Sequence, residues 1–391
     1  LPSFEFLITL YIILVSKSLY YEGFGENILL LPLLIILLIK AYILKKDPVK
    51  IPVKLILYSL AIFAVVLSNS ESQLSSIFVL LLRLVISILI VQLLDFRLFS
   101  INFSKIVFFI GIASLLTFPV IYFNISSVFP DFIATDGRLL RNFIFFGVWE
   151  NFIQYDIYRN SGLWWEPGAF SLFVNISFLF DVLNKRISRV KYVLYLFIIV
   201  TILSTTGIIA FSLLSLLLIR RFTIRRGFIF PLLATPLLIY IVSFHFIPNI
   251  LAKFSVGNGS FSSRYYDFII SYEMFLDAPF WGYGFGSQIQ NAIPFGVSLL
   301  GADLYELVKP TGADGLTMFI AQVGILGLLF LIPFLAPKYA SSLNVIKRAI
   351  IFISLLLLFN TENFTFLLIF IVLTLYGVLN NKSVFYWRGV N

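Results

Sequence analysis

Hydrophobic residues occur in long runs that short polar and basic segments interrupt, and the lengths of these runs predict membrane-spanning helices. A helix that crosses the hydrocarbon core needs about 20 predominantly apolar residues. The runs predict about twelve crossings in an all-α polytopic integral membrane protein, with both ends of the chain on the cytoplasmic side. The predicted single spans are 4–19, 28–44, 51–69, 75–94, 106–123, 167–183, 228–246 and 316–336.

Two further apolar stretches are too long for one crossing and short for two. The first is 192–219, with a polar break at Ser204-Thr205-Thr206-Gly207, and the second is 349–379, with a break at Asn360-Thr361-Glu362-Asn363. Each lies between basic clusters that belong on the same side. Backbone that turns at membrane depth is tolerated only where it lines protein or a wet cavity. We therefore predict two short-helix hairpins whose tips face an outward, water-filled recess.

Composition and charge support a membrane protein and argue against nucleic acid as a partner. Hydrophobic residues make up 60% of the chain and charged residues 12%, outside the range of soluble globular proteins. The net charge is +9, but most Lys and Arg fall in short loops assigned to one side and most Asp and Glu fall on the other. This is the positive-inside pattern of an inner-membrane protein. The chain has no cysteine, which excludes disulfides and Cys-based metal sites.

Two long segments, 124–166 and 247–315, fall outside in this topology and hold most of the polar chemistry. The many aromatic residues of the first predict an interfacial belt against the headgroups, with stacking on sugar rings as the alternative. We predict one transmembrane domain over residues 1–391, which includes these two outer segments.

An amphipathic helix is predicted within the second outer segment. Ser262 and Ser263 can cap it, Pro279 ends it, and Arg264 and Asp267 share its polar face. Glycines at 282, 284 and 286 then predict a flexible turn. The apolar stripe comprises Tyr265, Phe268, Ile269, Tyr272, Phe275 and Leu276. We expect the helix to lie on the outer surface.

Arginine supplies most of the candidate chemistry. The sequence has no DxD carboxylate pair, His/Cys cluster, GxGxxG or GxxxxGK[ST] motif, so neither a metal site nor a nucleotide cofactor is expected. Guanidinium groups bind phosphate oxygens bidentately. Arg83 lies inside a predicted span, where an ionisable residue is usually functional; a structural pair with a carboxylate is the alternative. The outward arginines, which suit a phosphate-bearing substrate arriving through the lipid, are Arg138, Arg141, Arg159 and Arg264.

Four segments resemble the O-antigen polymerase and ligase superfamily (Wzy-type enzymes). They are Arg-Asn-Ser-Gly-Leu-Trp-Trp-Glu-Pro-Gly-Ala-Phe at 159–170, Leu-Ser-Thr-Thr-Gly at 203–207, Ser-Ser-Arg at 262–264 followed by Asp-Ala-Pro-Phe-Trp-Gly-Tyr-Gly-Phe-Gly at 277–286, and Gln-Val-Gly-Ile-Leu-Gly at 322–327. The ligases of this superfamily carry a His-Asn pair just before the last segment. Residues 311–316 contain no histidine here, which favours a polymerase over a ligase.

The resemblance implies an enzyme that joins two undecaprenyl-diphosphate-linked oligosaccharides, a donor and an acceptor, without metal or cofactor. Arg159 and Arg264 would bind the diphosphate, with Arg83 as a weaker third. The base would be Glu166 or Asp314, the latter because it occupies the region of the ligase histidine. Glu166 has an alternative role as a helix N-terminal acid beside Pro167. The implied partners are the lipid bilayer and, as a candidate, a polysaccharide chain-length regulator.

Two other functions stay open at this point. One is an O-antigen ligase of the same superfamily. The other is a flippase or secondary transporter of lipid-linked or anionic substrates, because broken helices also mark transporter sites. The two long outer segments and the absence of recognisable inverted halves argue against a transporter.

Overall fold

The chain is mostly helical, as its hydropathy predicted. The structure, a computed structural model, describes residues 3–16, 18, 26–44, 53–54, 56–60, 74–122, 131–133, 139–142, 148–152, 157–164, 166–218, 259–283, 296–298, 315–335, 337, 340–341, 343–360 and 367–378. The helices are α1 (Phe4–Val15), α2 (Glu26–Leu44), α3 (Leu74–Leu93), α4 (Phe96–Tyr122), α5 (Pro167–Leu183), α6 (Arg189–Ile202), α7 (Thr205–Ser215), α8 (Gly259–Asp277), α9 (Gly315–Val323), α10 (Leu328–Leu335), α11 (Val345–Asn360) and α12 (Leu368–Val378).

The prediction of an all-α fold is wrong in the first outer segment, which forms a four-stranded antiparallel sheet. Its strands follow chain order: β1 (Asp131–Ile133), β2 (Leu139–Asn142), β3 (Val148–Phe152) and β4 (Ile157–Gly162). Short runs rich in aromatic and β-branched residues, separated by segments with Asp and Gly, favour strands and turns. The register sets Asp131 opposite Arg141 and Glu150 opposite Arg159.

Residues group into two compact units, Leu1–Phe24 with Arg97–Leu251 and Gly25–Phe96 with Ala252–Asn391. In the first unit, α5 is the central helix, and nearly all of its residues are buried. α6 and α7 both pack on α5. The prediction of one domain over the whole chain stays a prediction.

The first predicted helical hairpin is confirmed, while the water-filled recess that its tip would face stays a prediction. α6 ends at Ile202, Leu203 adopts a left-handed conformation (φ 54°), and the Ser204 side chain caps α7 by accepting a hydrogen bond from Gly207 N at 3.2 Å. α7 then runs back along α6, because the rings of Tyr192 and Phe211 stack with centroids 5.6 Å apart. The polar break therefore forms the tip of a helical hairpin.

The base of this hairpin is held by a buried polar group, the Asp181 cluster: Ser104, Ser177, Asp181, Lys191 and Tyr195. The fully buried Asp181 carboxylate accepts from the Tyr195 hydroxyl at 2.7 Å and from Ser104 Oγ at 3.1 Å. Lys191 Nζ lies 2.5 Å from the same carboxylate. Ser177 Oγ lies 2.6 Å from the Tyr195 hydroxyl. These contacts join α4, α5 and α6.

In the second unit, α3 packs against α2 and α12. The Tyr376 hydroxyl of α12 donates to Leu94 O at 2.9 Å, just after the end of α3, so the carboxyl ends of α3 and α12 lie together. α11 ends at Asn360, where the second break is predicted, and α12 begins at Leu368. Thr361, Glu362 and Asn363 lie outside the described residues, so the second hairpin stays a prediction.

Two predicted boundaries are corrected. α4 begins at Phe96, ten residues before the start of the predicted span 106–123, and no Pro or Gly interrupts the added stretch. The predicted span 316–336 is two short helices, α9 and α10, bent by 119° at the break between them. Among the described residues, Phe96–Thr117 (22 residues) is the single helix long and apolar enough to cross a membrane, and the bent pair meets the same criteria only when taken together. The number of crossings stays a prediction.

Candidate functional site

In the first unit, the segment that resembles the polymerase superfamily connects β4 to α5. Asn160 is fully buried, and its Nδ2 donates to Ser114 Oγ at 2.7 Å and to Thr201 Oγ1 at 3.1 Å. Its Oδ1 accepts from Gly162 N at 3.0 Å. Because Ser114 lies in α4 and Thr201 in the last turn of α6, one amide fixes the end of the sheet against two helices.

The glycine and tryptophan of this segment have packing roles. Gly162 has a φ of +59°, and a Cβ added there would lie 2.8 Å from the Phe170 ring. The Trp164 indole stacks on Phe170 with centroids 5.2 Å apart, and its Nε1 donates to Ser16 O at 3.1 Å. The segment is therefore a rigid connection that orients the residues at its two ends, Arg159 and Glu166.

Arg159 and Glu166 flank this connection. Arg159 lies in β4, partly buried, at the register position opposite Glu150. Glu166 is the N-cap residue of α5, with extended backbone and Pro167 following it, and its side chain makes no capping hydrogen bond. Its carboxylate therefore stands at the positive end of a helix without serving as the cap itself. Both the base and the helix-terminal role remain compatible with this position.

In the second unit, two of the segments that resemble the superfamily contact each other through their glycines. Tyr283 N donates to Ala321 O at 3.0 Å, and Ile325 N donates to Pro279 O at 2.8 Å. We call residues 279–283 and 320–325 the glycine crossing. It joins the turn after α8 to the break between α9 and α10.

Only glycine fits at the two central positions of the glycine crossing. Gly282 has φ +69° and Gly324 has φ +65°, where side chains are strained. A Cβ at Gly282 would overlap the Gln322 carbonyl group and lie 2.6 Å from Gly324 N. A Cβ at Gly324 would overlap the Phe280 carbonyl group. The turn that we predicted to be flexible is therefore closely packed at Gly282.

α8 packs on α9 through the face that holds Asp267, and the two helices run parallel. Ile270 and Met274 of α8 form a cluster with Met318 and Ala321 of α9. Ser271 Oγ lies 3.9 Å from Met318 Sδ, and just beyond the ends of the two helices Ile325 N donates to Pro279 O. Contacts thus advance along both helices in the same direction.

The predicted apolar stripe lies on the other side of α8 and stays about half exposed, with Tyr265 at 53% and Tyr272 at 51%. Asp267, on the polar face, is fully buried. α8 begins at Gly259, so Ser262 and Ser263 lie inside the helix, and the prediction that they cap it is wrong. The helix ends at Asp277, two residues before Pro279, as predicted.

Arg264, Arg83 and Asp314 belong to the second unit. By helical spacing, Arg264 shares the face of Asp267 and Ser271, since three and seven residues separate them. Arg83 is buried in α3, which packs on α2 and α12. Asp314 lies outside the described residues, next to the first residue of α9, and Arg138 also lies outside them. In the described part of the chain, no group of three His, Cys, Asp or Glu residues could hold a metal ion.

The buried polar residues that the sequence reasoning missed include Asp267 and Gln322. Gln322 is 1% exposed, and neither its Nε2 nor its Oε1 has a hydrogen-bond partner among the described residues. The sequence signal for Gln322 is an amide directly before Val323-Gly324 in an otherwise apolar run. No family model matches the chain, and no curated protein matches it.

Proposed function

We propose that this chain is a polysaccharide polymerase of the bacterial cytoplasmic membrane. It joins undecaprenyl-diphosphate-linked oligosaccharide repeat units at the outer face, and undecaprenyl diphosphate is the leaving group. The protein crosses the bilayer about twelve times, with the α6–α7 hairpin entering from the cytoplasmic side. The half-exposed apolar stripe of α8 then faces lipid at the outer surface.

The glycine crossing is the observation that carries this proposal. It joins two of the four segments on which the resemblance to the superfamily rests, and it explains why each needs a glycine. Gly282 and Gly324 are 42 positions apart in the chain and meet in one structural unit, which supports treating the two segments together. The confirmed hairpin break at Ser204–Gly207 supports the third segment in the same way.

In the proposed reaction, a sugar hydroxyl of the acceptor attacks the anomeric carbon of the donor. The new glycosidic C–O bond forms as the C–O bond to the diphosphate breaks, and the hydroxyl proton passes to a carboxylate. Negative charge grows on the departing diphosphate oxygens, so fixed cations there stabilise the transition state more than the ground state. Arg159 and Arg264 take this role, with Arg83 as a weaker third, and Glu166 or Asp314 is the base.

The packing of α8 on α9 supports a site to which both helices contribute. Ser271 contacts Met318 and Pro279 contacts Ile325, so the two helices run in the same direction. Arg264 is in the second turn of α8, and Asp314 directly precedes α9. The buried carboxylate of Asp267 lies one turn after Arg264 on the same face.

Reconstitution of the purified full-length protein with carrier lipid that bears a single repeat unit tests this function. We expect glycans of two or more repeat units and released undecaprenyl diphosphate. Movement of the lipid across the bilayer without lengthening of the glycan would identify a transporter instead of a polymerase. The 119° break between α9 and α10 favours the transporter as the second candidate. Transfer to lipid A cores, but not to a second carrier-linked glycan, would identify a ligase instead.

A further inference from the structure

The Gln322 side chain is a buried amide whose hydrogen-bonding groups are unused by the described residues. It is 1% exposed, and both Nε2 and Oε1 are buried without a partner in the described part of the chain. Burying an amide without compensating hydrogen bonds is unfavourable, which is why most buried polar side chains have partners. A buried amide of this kind is favourable when a ligand supplies the hydrogen bonds that the described residues do not.

Gln322 lies at the glycine crossing, on the side of α9 that faces α8. It follows Met318 by one turn, and Met318 packs against Ile270 and Met274 of α8. Ser271 Oγ of α8, which lies 3.9 Å from Met318 Sδ, already donates to Asp267 O at 2.6 Å. Gly282 brings the backbone of the following turn against the Gln322 carbonyl group. The amide therefore sits where two of the segments that resemble the superfamily meet.

The chemistry of an amide selects the class of ligand. A glutamine amide offers two N–H donors and a carbonyl acceptor and carries no charge. A diphosphate oxygen offers acceptors alone and would leave Oε1 unmatched. A sugar hydroxyl is both donor and acceptor, so one or two neighbouring hydroxyls can satisfy both ends of the amide.

We propose that Gln322 binds hydroxyl groups of the lipid-linked glycan, as a residue that recognises the sugar and not the diphosphate. This assignment rests on the proposed function and adds the part of the substrate that the arginines do not contact. It makes Gln322 a specificity-determining residue, because a site built to hydrogen-bond a hydroxyl rejects a substrate that lacks it.

Binding of two lipids by the full-length protein in nanodiscs tests this inference. The probes are undecaprenyl diphosphate and carrier lipid with a single repeat unit, extracted from cells that lack this chain. We expect Gln322→Met, which keeps the volume and removes both hydrogen-bonding groups, to weaken binding of the glycan-bearing lipid about three- to tenfold and to leave undecaprenyl diphosphate binding unchanged. Met318→Leu, one turn earlier on the same face, is the matched control and should change neither.

The other possible outcomes would overturn the inference, and they differ in which part of it they show to be wrong. Equal binding of both lipids by the wild-type protein would mean that the glycan makes no contact. Wild-type affinity of Gln322→Met for the glycan-bearing lipid, or equal weakening for both lipids, would remove Gln322 from sugar recognition. If the wild-type protein binds neither lipid, the proposed function itself fails, and the inference fails with it.

Discussion

Buried polar groups are satisfied differently at the Asp181 cluster of the first unit and at the glycine crossing of the second. The Asp181 carboxylate is fully buried and has three partners, in Lys191, Tyr195 and Ser104. Gln322 is equally buried, but its amide has no hydrogen-bond partner among the described residues. A satisfied group stabilises one arrangement of helices, whereas an unsatisfied one costs stability until a ligand binds. The comparison supports a folding role for the Asp181 cluster and is consistent with the proposed substrate-binding role of Gln322.

Removing the Asp181 carboxylate should have the largest effect on stability. Asp181→Ala removes the carboxylate that pairs with Lys191, so the ammonium group loses its counter-charge. Loss of one partner of a buried ion pair costs about 3–5 kcal/mol. We expect much less folded protein in the membrane fraction. We also expect a lower unfolding temperature for the variant purified in detergent. Asp181→Asn, which keeps one acceptor oxygen for either Ser104 or Tyr195, should lose less. If Asp181→Ala is as stable as the wild type, the Asp181 cluster does not stabilise the fold.

Substitution of the arginines should affect activity while leaving the fold intact. Arg159→Lys and Arg264→Lys keep the charge and lose the bidentate fork, and loss of one transition-state donor typically costs about 10²–10³ in rate. We expect short glycan ladders in cells with normal membrane expression of each variant. Arg138→Lys, in the first outer segment, serves as the control and should be nearly silent. Full-length ladders from both variants would contradict the diphosphate role.

The crossing itself should not tolerate a side chain at its centre. Gly324→Ala would have to hold a non-glycine residue at φ +65° and overlap the Phe280 carbonyl group. A strained backbone of this kind costs about 1–3 kcal/mol, so we expect lower thermal stability together with loss of polymerisation. Gly284→Ala, two residues after Gly282 in the same sequence motif, gives the comparison variant. Equal behaviour of the two alanines would show that the crossing does not depend on Gly324.

The sequence predicts one helix break and misses another, for a physical reason. Ser204, Thr205 and Thr206 interrupt an apolar run with polar groups, so the α6–α7 tip is visible in the pattern. The break at Gly324 lies in an apolar run that continues on both sides, and the need for glycine arises from the Phe280 backbone that contacts it. Hydropathy detects the cost of burying polar groups but does not detect contacts between distant backbone segments.

The same limit applies to α8 and to the sheet. Periodicity predicts that Tyr265 and Tyr272 share a face, but not that the opposite face, with Asp267, is the one that packs on α9. The strands are three to six residues long, which is too short for alternation to stand out against the high aromatic content. For the candidate site, the motifs predict the two segments that meet at the glycine crossing. The burial of Gln322 becomes evident only in the structure.

The hairpin tip offers a milder test, since a single exposed substitution there changes stability by about 0.5 kcal/mol or less. The chain has no cysteine, so each introduced thiol is unique. Thr205→Cys, at the partly exposed tip, should react with a small polar thiol reagent applied outside intact cells. Ser188→Cys, at the start of α6, should react only after the membrane is permeabilised. The reverse pattern would invert the proposed topology.

Thermal unfolding of Gln322→Met and Ser177→Ala, without added lipid, tests the difference between the two regions most directly. Ser177 Oγ is paired with the Tyr195 hydroxyl at 2.6 Å, so its removal should destabilise the protein by about 1–3 kcal/mol. Gln322→Met removes an amide that the described residues leave unsatisfied, so its unfolding temperature should equal or exceed that of the wild type. If Gln322→Met unfolds at as low a temperature as Ser177→Ala, the Gln322 amide stabilises the fold. The proposal that Gln322 binds the substrate would then be wrong.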